Sequence, residues 1–391
     1  MDRLEPKSTS ARRAYELMAL DCEEEVSFRF CYVSSFIDDF PCCCVESMVD
    51  DFEKVMAALW QQLGFEPQGK KCWWEGGFAA KGQVLGIKIC LDTWTAEVPK
   101  DKVDKTVAAL KGALMMDWVP ADLVQSVIGL MGFCGQVLVP GDWRVVWSIT
   151  ALRAAVVRGF APMNSYWKEE LEWWVDLLQD WNRVALMVSP DWLIPTFANE
   201  FSPFTDASGS EAEGGAGAVF GKYAMKFLFN ATELKWLPIC DLEGIVCVLW
   251  IWVICKLWPE QISGLRFEAW CDNKSFCGAV NNHKSPAPSL DFLLKELHKL
   301  QATYSFDLRL EYVESKKNVA ADALSREAMK VFYKFMATYG YEPSDIVWFD
   351  IDSQASPRSS WSSEMVRRRK LMTSMRPAQQ PAEMQDGCGG R

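Results

Sequence analysis

The chain has 391 residues, of which half are hydrophobic and 19 are tryptophan, so most of it is expected to be globular rather than disordered. A chain of this length predicts two or three domains. Its net charge of −11, from 52 acidic against 41 basic residues, gives no overall basic footprint for nucleic acid, although a local basic groove remains compatible with the composition.

The 14 cysteines and two histidines, His283 and His298, disfavour several kinds of site. No Cys-x-x-Cys pair occurs, which argues against a zinc finger, and a histidine-activated nucleophile has little support. The first six residues contain no apolar signal core, so we expect reduced cysteines and an intracellular protein, cytoplasmic or nuclear, that is not secreted. The most apolar run, residues 245–255, is shorter than the roughly 20 residues of a membrane span, so no membrane partner is expected.

Hydrophobic patterning predicts elements along most of the chain. In order, they are a strand over 28–33, an amphipathic helix over 45–63, a strand over 84–90, a mostly helical region over 101–182, strands over 201–207, 217–220 and 223–229, a buried helix over 241–257, a strand over 265–272, an amphipathic helix over 290–300 and a strand over 308–313.

Four acidic residues, Asp206, Glu243, Asp272 and Asp322, stand in distinctive local settings. Three of them lie in or at the end of an apolar run, where a lone carboxylate is costly. Four that converge can hold two divalent metals roughly 4 Å apart for attack on a phosphodiester. Asp241 competes with Glu243, but the two point about 200° apart around a helix, so one of them alone can face such a site. Each acid taken singly is also compatible with a solvated surface residue.

The order and flanks of these four acids resemble the ribonuclease H domain of retroelement polyproteins. The most specific segment is 318–326, Asn-Val-Ala-Ala-Asp-Ala-Leu-Ser-Arg. The resemblance implies a mixed five-stranded sheet with flanking helices, and two Mg²⁺ (or Mn²⁺) ions held by the four acids. It also implies endonucleolytic cleavage of RNA in RNA–DNA hybrids, with Ser208 and Asn273 contacting the hybrid.

A second acidic motif, Asp38–Asp39, lies between apolar residues. Such a pair suits a hairpin tip that presents both carboxylates to a metal, although a solvated turn would also explain the pair alone. The helix that follows, a Lys-Cys dipeptide at Lys71 and a Leu-Gly hairpin over residues 84–87, which contains Gly86, resemble the palm of a reverse transcriptase. The resemblance implies metal binding by Asp38 and Asp39, and contact of Lys71 and Gly86 with a template–primer.

Together the two resemblances imply an α/β multidomain chain. Its parts are an unassigned leader (1–25), a partial polymerase palm (26–95), a helical thumb, connection and linker (96–195), a ribonuclease H-like domain (196–330) and a C-terminal extension (331–391). The extension is expected to be disordered after about residue 352, where seven basic residues stand against three acidic ones. Only 37 residues precede Asp38, so the fingers and the third polymerase carboxylate are expected to be missing and DNA synthesis by this chain alone is not expected.

The functional hypothesis is therefore a ribonuclease H (a hydrolase) joined to a remnant RNA-directed DNA polymerase, a nucleotidyltransferase. The alternative is a catalytically decayed or domesticated module of a retrotransposon that binds nucleic acid or protein. The sequence leaves the oligomeric state open.

Overall fold

The structure is a computed structural model that describes residues 31–33, 42–44, 49–63, 81–138, 146–186, 192–193, 203–209, 213–352 and 356–375. Two compact units divide the chain, residues 1–92 and residues 93–391. Both contain helices and strands, so the predicted α/β class is confirmed.

Among the residues of the first unit that the structure describes, there are two short antiparallel strand pairs and a helix. Its elements are β1 (Cys31–Val33), β2 (Cys42–Cys44), α1 (Val49–Leu63), β3 (Lys81–Val84) and β4 (Ile87–Cys90). β1 pairs with β2, and β3 pairs with β4. The strand predicted over 84–90 begins only at Ile87, because Leu85 and Gly86 adopt φ values of 50° and 88° and form the hairpin that the resemblance implied at residues 84–87. Two consecutive positive φ values form a tight hairpin turn that reverses the chain.

The second unit begins with the helical region predicted over 101–182. Its helices are α2 (Lys100–Leu114), α3 (Ala121–Gly135), α4 (Val146–Arg158) and α5 (Ser165–Asp180), and its strands are β5 (Thr95–Glu97), β6 (Trp118–Pro120), β7 (Phe160–Pro162) and β8 (Val184–Leu186). β5 pairs with β8, and β6 pairs with β7, both antiparallel. The sequence did not predict these strands because three residues are too few to show a periodicity of two.

A mixed sheet forms the centre of the remainder of the second unit. Its strands are β9 (Trp192–Leu193), β10 (Phe204–Gly209), β11 (Gly214–Phe220), β12 (Tyr223–Leu228), β13 (Arg266–Cys271), β14 (Asp307–Tyr312) and β15 (Val347–Phe349). The order across the sheet is β14-β13-β10-β11-β12-β15, with β9 also beside β13. β10, β11 and β12 are antiparallel neighbours, whereas β13 and β14 join in parallel. The five predicted strands therefore occur in the order of a ribonuclease H-like sheet, and β9 and β15 extend it.

Helices cover both faces of this sheet. They are α6 (Ala231–Trp236), α7 (Ile239–Leu257), α8 (Pro259–Ile262), α9 (Lys274–Asn281), α10 (Pro288–Tyr304), α11 (Val319–Ser325), α12 (Met329–Thr338) and α13 (Arg358–Met375). α7 is buried without interruption from Asp241 to Ile251, because the sheet lies on one side of it and α10 on another. This explains why the sequence of α7 shows no polar face. Across the part of the chain that the structure describes, no helix combines the length and the apolar character that crossing a membrane requires.

Two glycines of β11 allow α11 to lie directly on the backbone of the sheet. A Cβ atom at Gly217 would lie 2.2 Å from the carbonyl oxygen of Ala321, and one at Gly215 would lie 2.3 Å from that of Ser325. Gly217 pairs with Asp206 of β10 in the ladder, so their side-chain positions share one face of the sheet. The absence of a side chain at Gly217 therefore brings α11 next to Asp206.

The prediction of disorder after about residue 352 is wrong for residues 358–375, which form α13. Trp361, Met365 and Val366 of this helix are buried in the same core as α7 and α10. Its arginines also have carboxylate partners: Arg358 pairs with Asp352 and Glu233, Arg367 with Glu364, Arg368 with Glu364 and Glu169, and Arg369 with Asp241. The composition of this segment is polar overall, so it does not reveal that one narrow stripe of the helix is buried. It also does not reveal that acids elsewhere in the chain pair with several of the arginines.

Gly217→Ala should destabilise the protein by roughly 2 kcal/mol or more, because the added methyl group meets backbone atoms that cannot rotate away. Gly129→Ala is the matched control: this glycine lies inside α3, and a Cβ atom there meets nothing within 4 Å. The control should be neutral or stabilising by up to about 1 kcal/mol. Urea denaturation of both variants measures the difference, and equal midpoints would contradict the close contact between α11 and β11.

Candidate functional site

Asp206 occupies a buried position on β10, the central strand of the sheet. Its side chain is 2% exposed, on the face that α11 covers. The hydroxyl of Ser325, at the end of α11, donates a hydrogen bond to Asp206 Oδ2 and lies 3.0 Å from the carbonyl oxygen of Asp322. Asp206 and α11 are thus joined by a side-chain contact as well as by backbone packing.

Glu243 projects from the second turn of α7 and is buried. The thiol of Cys271 lies 3.7 Å from Glu243 Oε2 and donates to it. Asp241, the other candidate in this helix, instead binds Arg369 through both of its carboxylate oxygens, each at 2.6 Å. The structure therefore brings Glu243 to the end of β13 and turns Asp241 towards α13.

Asp272 follows the last residue of β13 and interacts with both Asp206 and Glu243. Ser315 donates a hydrogen bond to its Oδ2 atom at 2.9 Å. Its Oδ1 atom is buried and accepts no hydrogen bond from an amide or hydroxyl group of the described residues. Asp272 therefore keeps an oxygen available for a ligand.

Asp322 lies in the middle of α11, half-exposed. Its Oδ1 atom accepts a hydrogen bond of 2.6 Å from Nε of Arg326, one helical turn later. The side chain of Arg326 is 62% exposed, so this cation lies at the solvent edge of the cluster. An exposed ion pair of this kind offsets little of the charge of the buried carboxylates.

Burial, together with the nearby carboxylates of Asp272 and Asp322, raises the pKa of Asp206 to about 7, against the opposing effect of the hydrogen bond from Ser325. A negative charge on a nearby carboxylate disfavours the ionisation of Asp206. Asp206 therefore acquires its full negative charge only near neutral pH or when a cation is supplied.

Glu243 is affected still more strongly. Burial first, and then Cys271, Asp272 and Asp206, raise the pKa of this carboxyl to about 12. Asp272 therefore interacts electrostatically with both Asp206 and Glu243, and Asp322 interacts with Asp206. Their assignment as catalytic residues and metal ligands stays a prediction. The four acids come from β10, α7, the end of β13 and α11.

The donor atoms of this cluster fit a divalent cation. Glu243, Cys271 and Asp272 each place one ligand atom within 4.8 Å of the others. Carboxylate oxygens are the ligands that Mg²⁺ and Mn²⁺ prefer, and a buried group of carboxylates that repel one another is stabilised by a bound cation. The Sγ atom of Cys271 is a further possible ligand atom, and sulfur is a softer donor than a carboxylate oxygen.

Sequence reasoning missed the residues that hold the carboxylates in place, Ser325, Ser315 and Cys271. Ser325 lies within the segment that resembles a ribonuclease H, so its position was recognised but its contact with Asp206 was not. Cys271 and Ser315 had no local signal, because each acts on a residue that is distant in the chain or on another element.

The residues expected to contact nucleic acid have local structural roles where they are described. Ser208 donates to the carbonyl oxygen of Ser325 and accepts from the backbone N–H of Gly215. Asn273 caps the start of α9 by accepting from two backbone N–H groups. Gly86 forms the turn between β3 and β4. Their contacts with a hybrid or a template–primer stay predictions.

The predicted metal ligands Asp38 and Asp39, and the predicted template contact Lys71, lie outside the described residues. The two halves of the sequence hypothesis therefore differ in structural support. The carboxylates of the second unit form a cluster, whereas the polymerase motif stays a sequence prediction.

Three of the solved structures that this chain resembles are foamy viral protease–reverse transcriptases in complex with nucleic acid. One, a "dRH" form with double-stranded DNA, is 15% identical, with a TM-score of 0.28 over 72% of this chain and 46% of that chain. A second, with double-stranded DNA, is 16% identical, with a TM-score of 0.27 over 72% and 55%. A third, with an RNA/DNA hybrid, is 13% identical, with a TM-score of 0.26 over 71% and 35%.

This chain thus spans between 35% and 55% of the length of those structures. No protein-family model matches the sequence. No curated protein matches it.

The raised pKa of Asp206 predicts how stability depends on pH. Its value in the unfolded chain is near 3.8, so between about pH 4 and pH 7 the folded protein holds a proton that the unfolded chain releases. The metal-free protein should therefore lose stability as the pH rises through this window. Glu243 contributes with the same sign. Asp206→Asn should make this loss of stability with rising pH smaller. Thermal denaturation in EDTA from pH 4 to pH 8 measures the slope of stability against pH.

Adding Mg²⁺ at pH 8 supplies a second readout. The wild-type protein should gain stability, whereas Asp206→Asn should gain less because one oxygen ligand is lost. Glu260→Gln, an exposed position in α8, is the control and should follow the wild-type curve in both conditions. Equal slopes of metal-free stability against pH in the wild-type protein and in Asp206→Asn, between pH 4 and pH 7, would contradict the raised pKa of Asp206.

Proposed function

We propose that this chain is a metal-dependent endonuclease that cleaves the RNA strand of RNA–DNA hybrids. The observation that supports this most directly is the coupling of Asp206, Glu243, Asp272 and Asp322 at one end of a ribonuclease H-like sheet. A buried cluster of carboxylates is unfavourable without cations, and it matches the ligand set that the sequence resemblance implies. Two Mg²⁺ or Mn²⁺ ions are the proposed cofactors.

The residues of the chain have separate roles in this proposal. Asp272 would present its Oδ1 atom, which accepts no hydrogen bond from an amide or hydroxyl group of the described residues, as a metal ligand. Asp206, Glu243 and Asp322 would supply further carboxylate ligands, and Asp322 is the most exposed of these three. When bound, two such ions activate a water molecule and stabilise the leaving 3′-oxygen.

The hydroxyl groups around the site orient the carboxylates. Ser325 fixes one oxygen of Asp206, and Ser315 fixes one oxygen of Asp272, which leaves the second oxygen of each carboxylate for a metal. Arg326 stays at the solvent edge, where its exposed guanidinium can approach a phosphate while it remains near Asp322. Cleavage breaks the bond between phosphorus and the 3′-oxygen and leaves a 5′-phosphate on the downstream fragment.

The alternative, a decayed or domesticated module that only binds nucleic acid or protein, has the same fold. The presence of all four carboxylates, each placed near another, favours the enzyme. The polymerase half is proposed as a remnant, and Asp38 and Asp39 as its metal ligands.

Asp206→Asn and Asp272→Asn should each reduce kcat for a labelled RNA–DNA hybrid by about a hundredfold or more, because each variant removes an anionic metal ligand. The wild-type protein should need Mg²⁺ or Mn²⁺ and stop in EDTA. Single-stranded RNA, double-stranded RNA and double-stranded DNA of the same sequence should be cut far more slowly. Gel electrophoresis of end-labelled substrates measures all of these rates.

Glu260→Gln serves as the matched control. Glu260 lies beyond the far end of α7, more than roughly 20 Å from Glu243 by the rise of the helix, and it is exposed. This variant should cleave at the wild-type rate. Retained cleavage in both aspartate variants would refute the proposed metal site, and an inactive wild-type protein that still binds the hybrid would favour the decayed module.

A further inference from the structure

We propose that the ion pair between Arg369 and Asp241 is a positioning device for Glu243, through which α13 fixes the first turn of α7. The inference rests on the proposed function, because it treats Glu243 as a metal ligand. It assigns a structural role to α13, in which the helix acts on the site through α7.

The contact between the two side chains is unusually complete for an ion pair. Asp241 is fully buried, and its two oxygens accept hydrogen bonds of 2.6 Å from Nε and a terminal nitrogen of Arg369. Bidentate pairs of this kind fix direction as well as distance. A buried carboxylate that loses its cation is strongly destabilising, so the pair cannot be broken without a local rearrangement.

The first turn of α7 receives no side-chain restraint from its own N-cap residue. Its N-cap residue is Pro238, which provides no side-chain hydrogen bond to the turn. The turn is held by the N–H groups of Asp241 and Leu242, which donate to the backbone carbonyl oxygen of Pro238. Helix ends without caps open readily. Asp241 lies in this turn and Glu243 follows two residues later, so any movement of the turn changes the distance from Glu243 to Asp272.

α13 is anchored by contacts that do not involve Arg369. Trp361 donates from its indole nitrogen to Glu296 of α10 at 3.0 Å, and Met365 is fully buried. Arg368 binds Glu169 of α5 at 2.8 Å, and Lys295 of α10 binds the same carboxylate. The helix is therefore a fixed support against which Arg369 can hold Asp241.

The helix also supplies its own control. Arg367, two residues before Arg369, pairs with Glu364 of the same helix and is 57% exposed. Replacing either arginine by glutamine removes one positive charge from α13. Only Arg369→Gln leaves a buried carboxylate without its guanidinium.

The test compares Arg369→Gln, Arg367→Gln and the double variant Asp241→Asn/Arg369→Gln in the full chain. With saturating Mg²⁺, Arg369→Gln should lower kcat on the RNA–DNA hybrid by about tenfold to a hundredfold, as expected for a misplaced ligand, with little change in KM. Arg367→Gln should match the wild-type protein. The double variant removes the unpaired charge and should recover much of the lost kcat.

Amide hydrogen exchange provides a readout that does not depend on cleavage. In Arg369→Gln, residues 240–243 should exchange about tenfold faster or more, while residues 361–366 of α13 keep their wild-type protection. Equal exchange of residues 240–243 in Arg369→Gln and Arg367→Gln would overturn the positioning role. If the wild-type protein cleaves no hybrid, the proposed function fails, and the exchange experiment still decides whether α13 restrains α7.

Discussion

Mutual repulsion of buried carboxylates is the constraint on which this structure depends. Asp206 and Glu243 lie where burial already penalises a charge, and the negative charge of Asp272 raises the pKa of both. The folded chain can keep them together only if other contacts resist their separation, or if cations take up the charge. The neighbouring Arg326 is too exposed to do so. The arrangement therefore makes physical sense as a cation-binding site supported by a rigid frame.

The frame comes from contacts of three different kinds. Gly215 and Gly217 let α11 rest on the backbone of β11, which leaves no room for that helix to shift towards the sheet. The Ser325 hydroxyl joins the end of α11 to Asp206 on the neighbouring strand. The apolar core around α7 fixes the axis of the helix, and the ion pair of Asp241 fixes its first turn. Together they restrain the carboxylates through backbone sterics, hydrogen bonding and charge.

The success of sequence reasoning varied with the length of each element and the source of its stability. β13, β14 and α7 were predicted because their own residues carry long apolar patterns. β5 to β8 and β15 were not, since three residues are too few to show a periodicity of two. α13 was mistaken for disordered chain because its stability comes from partners outside the helix, namely the apolar core around Trp361 and the remote acids that neutralise its arginines. The hairpin at Gly86 was indicated by the family resemblance and not by hydrophobic patterning, since the apolar residues on either side of the turn suggest one continuous strand.

The sequence by itself determined the identities of the four carboxylates, the order of the strands and helices that carry them, and the α/β class of the chain. These features are local or follow from the order along the chain. The tertiary structure decided which oxygen of each acid stays available, and which residues hold the acids in place. It placed Asp241 against Arg369, which is 128 residues away, and turned Glu243 towards Asp272. The physical reason is that periodicity records which face of an element is buried, whereas the partner that meets a buried charge is set by packing between distant segments.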